Sequence, residues 1–267
     1  VPGKPIEALE RELGIVKSIK LASNENPLGP PKAVQDALHE NIANIHIYPD
    51  GGAYNLRTKM AAKFQVDPDW IIFGNGSVEI IEMSARAFLD VGDQTLYSKY
   101  AFAMYKIATL ASNHEGVEIE ADDRFGHDLD AFLAAIDEKT KIIYIANPNN
   151  PTSTLLDQAA MDRFIEQVPD DILVIIDEAY FEFVENPDYA DSMKYLREGR
   201  KNVMVLRTFS KIYGLAGLRV GYGFGHPETL AMLEMIAQGN KNLIEERYRP
   251  AERVLKEFEE RIEKDFS

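Results

Sequence analysis

The chain of 267 residues carries 29 basic and 44 acidic side chains, a formal charge of −15, with 45% hydrophobic and 27% charged residues. The acidic balance argues against wrapping nucleic acid or docking on an anionic membrane surface, and the absence of cysteine excludes disulfides, iron–sulfur clusters and zinc–cysteine sites. No run approaches 18 apolar residues and Val1-Pro2-Gly3-Lys4 lacks the apolar stretch of a signal peptide, so the expectation is a cytoplasmic chain of one large domain, or of a large domain with a small appendage.

Residues 1–45 read as an N-terminal arm. They are rich in turn formers, Asn24-Glu25-Asn26-Pro27 and Gly29-Pro30-Pro31, before a helical pattern from Lys32 to about Ile42. From residue 46 to 236 the pattern alternates. A helix over Tyr54–Phe64 precedes the apolar run Trp70–Phe73, and a helix over Val78–Leu89 follows it. Further runs fall at Gln94–Tyr97, Val117–Glu120, Lys141–Ala146, Ile172–Asp177, Val203–Leu206 and Leu218–Phe224, with helical stretches at Asp128–Ile136 and Gln158–Gln167. Short, nearly all-apolar strands alternating with helices predict an α/β fold, a mostly parallel sheet covered on both faces. In residues 237–267, Val254, Phe258, Ile262 and Phe266 recur every fourth residue in a charge-dense stretch. That is one apolar stripe on a docking helix, with Pro250 near its start.

Ligands of open α/β sheets sit beyond the carboxyl ends of the strands, so the residues following each run carry the functional reading. After Trp70–Phe73 comes Gly74-Asn75-Gly76-Ser77. A Gly-rich turn feeding a helix offers unpaired N–H groups to a phosphate, or is simply a tight turn with Ser77 as N-cap. After Lys141–Ala146 comes Asn147-Pro148-Asn149-Asn150-Pro151-Thr152, a turn whose asparagine can offer an amide to a ligand. Asp177-Glu178-Ala179-Tyr180 puts a carboxylate at the end of an apolar strand, which calls for a cationic partner or marks a cap. Arg207-Thr208-Phe209-Ser210-Lys211 places a lysine among small and apolar residues, a setting that lowers an amine's pKa and suits imine chemistry. Ser210 and Arg219 add donors for a phosphate. Four strand ends each offer a group complementary to one aromatic phosphate cofactor.

On these residues, with Leu21–Pro27 and Tyr48-Pro49-Asp50, the sequence resembles the fold-type I pyridoxal-phosphate aminotransferases, and within them the histidinol-phosphate aminotransferase family. The resemblance covers about residues 1–236. It implies a three-layer αβα large domain with a seven-stranded, mostly parallel sheet, and a homodimer with shared sites. It also implies transfer of an amino group from L-histidinol phosphate to 2-oxoglutarate in histidine biosynthesis. By the resemblance, Lys211 would form an imine with pyridoxal 5′-phosphate and shuttle the substrate's proton, while Asp177 would pair with the ring nitrogen. Tyr180 and Asn150 would bond the ring's 3′ oxygen, and Phe102 would stack on the ring. The N–H groups of Gly76 and Ser77, with Ser210 and Arg219, would cradle the phosphate. Tyr48 would reach a phosphate in the neighbouring subunit, and Asn24 would lie at the substrate entrance. No metal is implied.

The sequence departs from that family at three points. Val78 stands where the family has Asp. Ser153 replaces a Gly, which would strain the backbone by ~1 kcal/mol if φ is positive there. The family's C-terminal small domain, whose arginines grip the substrate, is reduced here, and Arg247, Arg249 and Arg253 match none of them. Aromatic aminotransferases and threonine-phosphate decarboxylases share most of these motifs. A homologue that binds the cofactor without turnover would share them too.

Overall fold

The computed structural model describes residues 5–239. The helical tail expected over residues 237–267, with Pro250 and the three arginines, therefore lies almost wholly outside the described residues. In chain order the elements are α1 (Ile6–Leu13), α2 (Lys32–Asn41), α3 (Tyr54–Phe64), β1 (Ile71–Asn75), α4 (Ser77–Phe88), β2 (Gln94–Ser98), α5 (Met104–Ala111) and β3 (Glu115–Ile119). They continue with α6 (Leu129–Ala134), β4 (Thr140–Ala146), α7 (Gln158–Gln167), β5 (Leu173–Asp177), α8 (Met193–Arg197), β6 (Val203–Thr208), β7 (Val220–Gly225) and α9 (Pro227–Gly239). Each apolar run read from the sequence is a strand, displaced by at most two residues at either end. Helices α1, α5, α8 and α9 were not expected. In α5, MYKIATLA, apolar residues fall all round the helix, so no stripe announces it.

The strands form one sheet in the order β1-β7-β6-β5-β4-β2-β3. Pairs β2–β3, β2–β4, β4–β5 and β5–β6 are parallel, and β7 runs antiparallel to both of its neighbours. The mostly parallel seven-stranded sheet with helices on both faces is the expected fold class. Alternation along each strand divides the core in two. Ile143, Ile145, Val174, Ile176 and Val205 face Met60 of α3, Phe132 of α6, Phe164 of α7 and Leu196 of α8. Ile142, Tyr144, Ile175 and Leu206 face Ile80 and Ile81 of α4, Tyr105 of α5, and Leu230 and Leu233 of α9. Each such side chain, fully buried, stabilises the fold by roughly 2 kcal/mol.

The N-terminal arm is in part built into this body. Val34 and Ala37 of α2 are fully buried, whereas α1 buries no residue. Direction and register bring the ends of β1, β4, β5 and β6 to one edge of the sheet, together with the start of β7. There Asp177 pairs with Ala146 on one side and Leu206 on the other, and Asn75 pairs with Val220. Among the described residues no helix is long and apolar enough to cross a membrane.

Candidate functional site

A cavity of about 350 Å³ opens at that edge. Gly76, Ser77, Phe102, Asn150, Asp177, Tyr180, Ser210, Lys211 and Arg219 all line it. Nine residues singled out at separate strand ends thus meet in one space.

Asp177 ends β5 with its side chain on the α4–α5 side of the sheet and is only 4% exposed. Its Oδ2 accepts from the Tyr105 hydroxyl at 2.9 Å, and its Oδ1 accepts from the Ala179 N–H at 3.1 Å. The second contact is a local turn and leads into no α-helix, so the helix-cap alternative does not apply. Burial raises the Asp177 pKa to about 6, against the two hydrogen bonds and the Lys211 charge, which lower it. Lys211 sits beyond β6 and is half-buried. Its pKa is lowered, first by burial and also by the Arg219 charge, while Asp177 and Glu25 act in the opposite sense. Its Nζ donates to the Ser23 carbonyl at 3.1 Å and lies 5.4 Å from the centre of the Tyr180 ring. The arm also reaches Tyr180 itself, because Asn24 Nδ2 donates to its hydroxyl oxygen at 2.9 Å. Tyr180 therefore keeps its own proton to donate into the cavity. Asn24 lines an adjoining hollow of about 290 Å³, shared with Asn150 and Tyr180.

The other end of the cavity is formed by α4. Its N-cap is Gly76, at φ 74°, and not Ser77 as the tight-turn alternative had it. The Gly76 N–H donates to the Arg219 carbonyl at 2.9 Å. This corrects the expectation that it serves a phosphate, since the pairing of β1 with β7, continued one residue past the strand, already consumes it. The role of Gly76 is spatial, because a Cβ there would stand 2.3 Å from Arg219 Nη2. Gly221 serves the same approach from β7, where a Cβ would lie 2.1 Å from the Ser77 nitrogen. First-turn N–H groups of a helix have no intrahelical acceptor, and Ser77 and Val78 of that turn line the cavity. Arg219, at φ 56°, holds its guanidinium there through donation to the Asn75 and Ala216 carbonyls, each at 3.2 Å. Ser210 completes the end. Its hydroxyl oxygen accepts from Thr208 Oγ1 at 2.9 Å, leaving its proton to point elsewhere. N–H groups, a hydroxyl and a guanidinium at a helix N-terminus form an anion site.

Tyr48 stands apart. It is 72% exposed and does not line the cavity of its own chain. Ser153 does adopt φ 58°, so the strain of ~1 kcal/mol expected for a non-glycine applies. The sequence reading missed Tyr105, Ser23, Glu25 and Thr208 as lining residues. Tyr105 had a weaker signal, lying three residues after Phe102, whose ring its own ring meets edge to face.

A profile of the family described as aminotransferase class I and II matches residues 16–242. The histidinol-phosphate aminotransferase of Moorella thermoacetica is 48% identical over 246 residues, covering 91% of this chain and 63% of that protein. Histidinol-phosphate aminotransferase 1 of Mannheimia succiniciproducens is 47% identical over 88% of this chain and 64% of its own length. The chain thus spans under two thirds of the length of these relatives. Among solved structures, histidinol-phosphate aminotransferase from Sinorhizobium meliloti in complex with pyridoxal-5′-phosphate superposes with a TM-score of 0.86. The match covers 99% of this chain and 71% of that one at 24% identity, and it shows the shared fold. By sequence and by fold, the chain belongs to the class I and II aminotransferases.

Proposed function

We propose that this chain is the cofactor-holding part, centred on residues 46–236, of a pyridoxal-phosphate-dependent histidinol-phosphate aminotransferase. It would convert L-histidinol phosphate and 2-oxoglutarate to imidazole acetol phosphate and glutamate in cytoplasmic histidine biosynthesis. One observation carries the reading. A buried carboxylate and an amine of lowered pKa face one cavity whose far end is an anion site. The fit to pyridoxal phosphate rests on the donors of Ser77, Ser210 and Arg219 that line the far end of the cavity, and on the acceptor capacity left on Asp177. When bound, that cofactor supplies an electron sink for the pair released at the substrate Cα.

Every other step falls to the chain. Asp177 would hold a proton on the ring nitrogen, and its carboxylate is kept ionised against burial by Tyr105, Ala179 and the Lys211 charge. Tyr180 would donate to the ring's edge with Asn150 beside it, and Phe102 would cover a ring face. Ser77, Ser210 and Arg219 would hold the phosphate. Lys211, with its amine's proton affinity reduced, takes the Cα proton as base and returns it. The exposed apolar residues Leu21, Leu28, Tyr48 and Tyr54 support association with a second copy, whose phosphate site Tyr48 would reach.

The test is a spectrum with added pyridoxal phosphate before and after an amino donor, with borohydride trapping and peptide mapping. The reading requires cofactor fixed at Lys211 and none in Lys211→Ala. No trapped cofactor overturns it. Products from a panel of amino donors separate transamination of histidinol phosphate from transamination of aromatic amino acids and from decarboxylation of threonine phosphate.

A further inference from the structure

Tyr105 lies in the first turn of α5, fully buried, with its ring stacked on Tyr144 at a centroid distance of 4.8 Å and an interplanar angle of 4°. Tyr144 belongs to β4, next to the strand that carries Asp177, so the stack is anchored in the sheet. The edge of Phe102 meets the Tyr105 ring at 5.8 Å and 89°. A tyrosine ring clamped on two sides has a fixed hydroxyl position. Here that position is 2.9 Å from Asp177 Oδ2. Among the described residues the Tyr144 hydroxyl has no hydrogen-bond partner, so none of its bonds competes for the carboxylate.

We infer that Tyr105 is a positioning residue for Asp177. Its hydroxyl fixes the carboxylate's orientation toward the cavity and holds it in the ionised form that a protonated heteroaromatic nitrogen requires. The inference rests on the cofactor reading above and goes beyond it by assigning a role to a residue outside the expected set. Each carboxylate oxygen has two lone-pair sites, and the donors Tyr105 and Ala179 take one on each oxygen. One site per oxygen remains for the ligand. The other ionisable groups acting on Asp177 are Lys211 from beyond β6, which favours its charge, Glu178, the next residue, which opposes it, and Tyr180 three residues on. In a site this buried, loss of one donated hydrogen bond shifts the balance toward the neutral acid.

The experiment compares wild type, Tyr105→Phe, Asp177→Asn and the double variant. In cofactor-free protein, the Asp177 carboxyl carbon is titrated by NMR in wild type and Tyr105→Phe. The expected midpoint in Tyr105→Phe is higher by about one pH unit. With pyridoxal phosphate added, the Tyr105→Phe dissociation constant near neutral pH is expected to rise about tenfold, and the acid limb of binding to move up in pH. In the Asp177→Asn background the same change should alter affinity less than about twofold, because the coupling has lost its partner. An unchanged midpoint and affinity in Tyr105→Phe, with wild type binding normally, overturns this inference alone. An equal loss in both backgrounds also overturns it, by showing a purely structural role. Wild type that takes up no pyridoxal phosphate overturns the cofactor reading and this inference with it.

Discussion

Arg207 Nη2 lies 2.7 Å from Glu178 Oε2, and the two side chains are 4% and 0% exposed. Arg207 Nε donates to the same oxygen at 2.8 Å, and the guanidinium stacks 3.6 Å from the centre of the Phe181 ring. Glu178 directly follows Asp177, and Arg207 lies four residues before Lys211. The pair therefore ties the two strand ends that hold the site's carboxylate and amine, from the opposite side of the sheet. The Glu178 N–H, bonded to the Leu206 carbonyl at 2.8 Å, adds a backbone tie at the same place.

Removing one partner of this pair strands a buried charge. Glu178→Gln or Arg207→Gln is expected to cost about 3–5 kcal/mol, measured by urea unfolding, whereas the apolar double variant Glu178→Leu/Arg207→Met is expected to cost much less. Similar losses in the single and double variants would show that the pair contributes net attraction.

Asp177 is held at a stability cost in the cofactor-free protein. Its folded pKa of about 6 lies above the ordinary 3.8, so the folded state binds the proton more tightly than the unfolded state. The sign follows. This contribution favours folding below pH 4, declines as pH rises, and is fully lost above pH 6, a change of about 3 kcal/mol. Asp177→Asn removes the titration. Its stability relative to wild type is expected to increase between pH 4 and pH 6.5, measured by urea unfolding in both proteins, while borohydride traps less cofactor.

His127 acts with the opposite sign. It is buried, with Nε2 2.8 Å from the Ala146 carbonyl at the end of β4, and burial lowers its pKa to about 4. The unfolded chain takes up a proton below pH 6.5 and the folded chain does not. Stability is therefore complete above pH 6.5 and lost as pH falls toward 4, by about 3 kcal/mol. His127→Gln keeps a donor for Ala146 and should flatten that loss, read as unfolding free energy at pH 7 and pH 4.5.

Gly221→Ala tests the close approach of β7 to the start of α4. The added Cβ meets the Ser77 nitrogen at 2.1 Å and the Gly76 carbonyl carbon at 2.4 Å, both main-chain atoms that cannot swing aside. The expected cost is about 1–3 kcal/mol in unfolding free energy, with weaker binding of inorganic phosphate in a calorimetric titration. Wild-type stability and phosphate affinity in the variant would show that β7 and α4 can separate freely.

The strands and the groups that follow them were legible because burial on both faces demands unbroken apolar runs such as Ile142–Ala146 and Leu173–Ile176, and because strand ends are where such sheets place ligands. Asp177, Tyr180, Ser210, Lys211 and Arg219 were found by that local rule together with the resemblance. Local rules had no means of reporting which atoms meet. Tyr105 carried no role until the packing of α5 on the sheet set its hydroxyl against Asp177. The Gly76 N–H read as a phosphate donor until β7 placed the Arg219 carbonyl in front of it. Glu178 carried no reading of its own until strand alternation turned it away from the cavity that Asp177 lines and set it against Arg207. Sequence by itself determined which chemical groups stand at each strand end, since burial and turn chemistry are properties of short segments. Only the tertiary structure decided which of those groups touch, since contacts between residues distant in the chain depend on sheet order and register, which no short segment encodes.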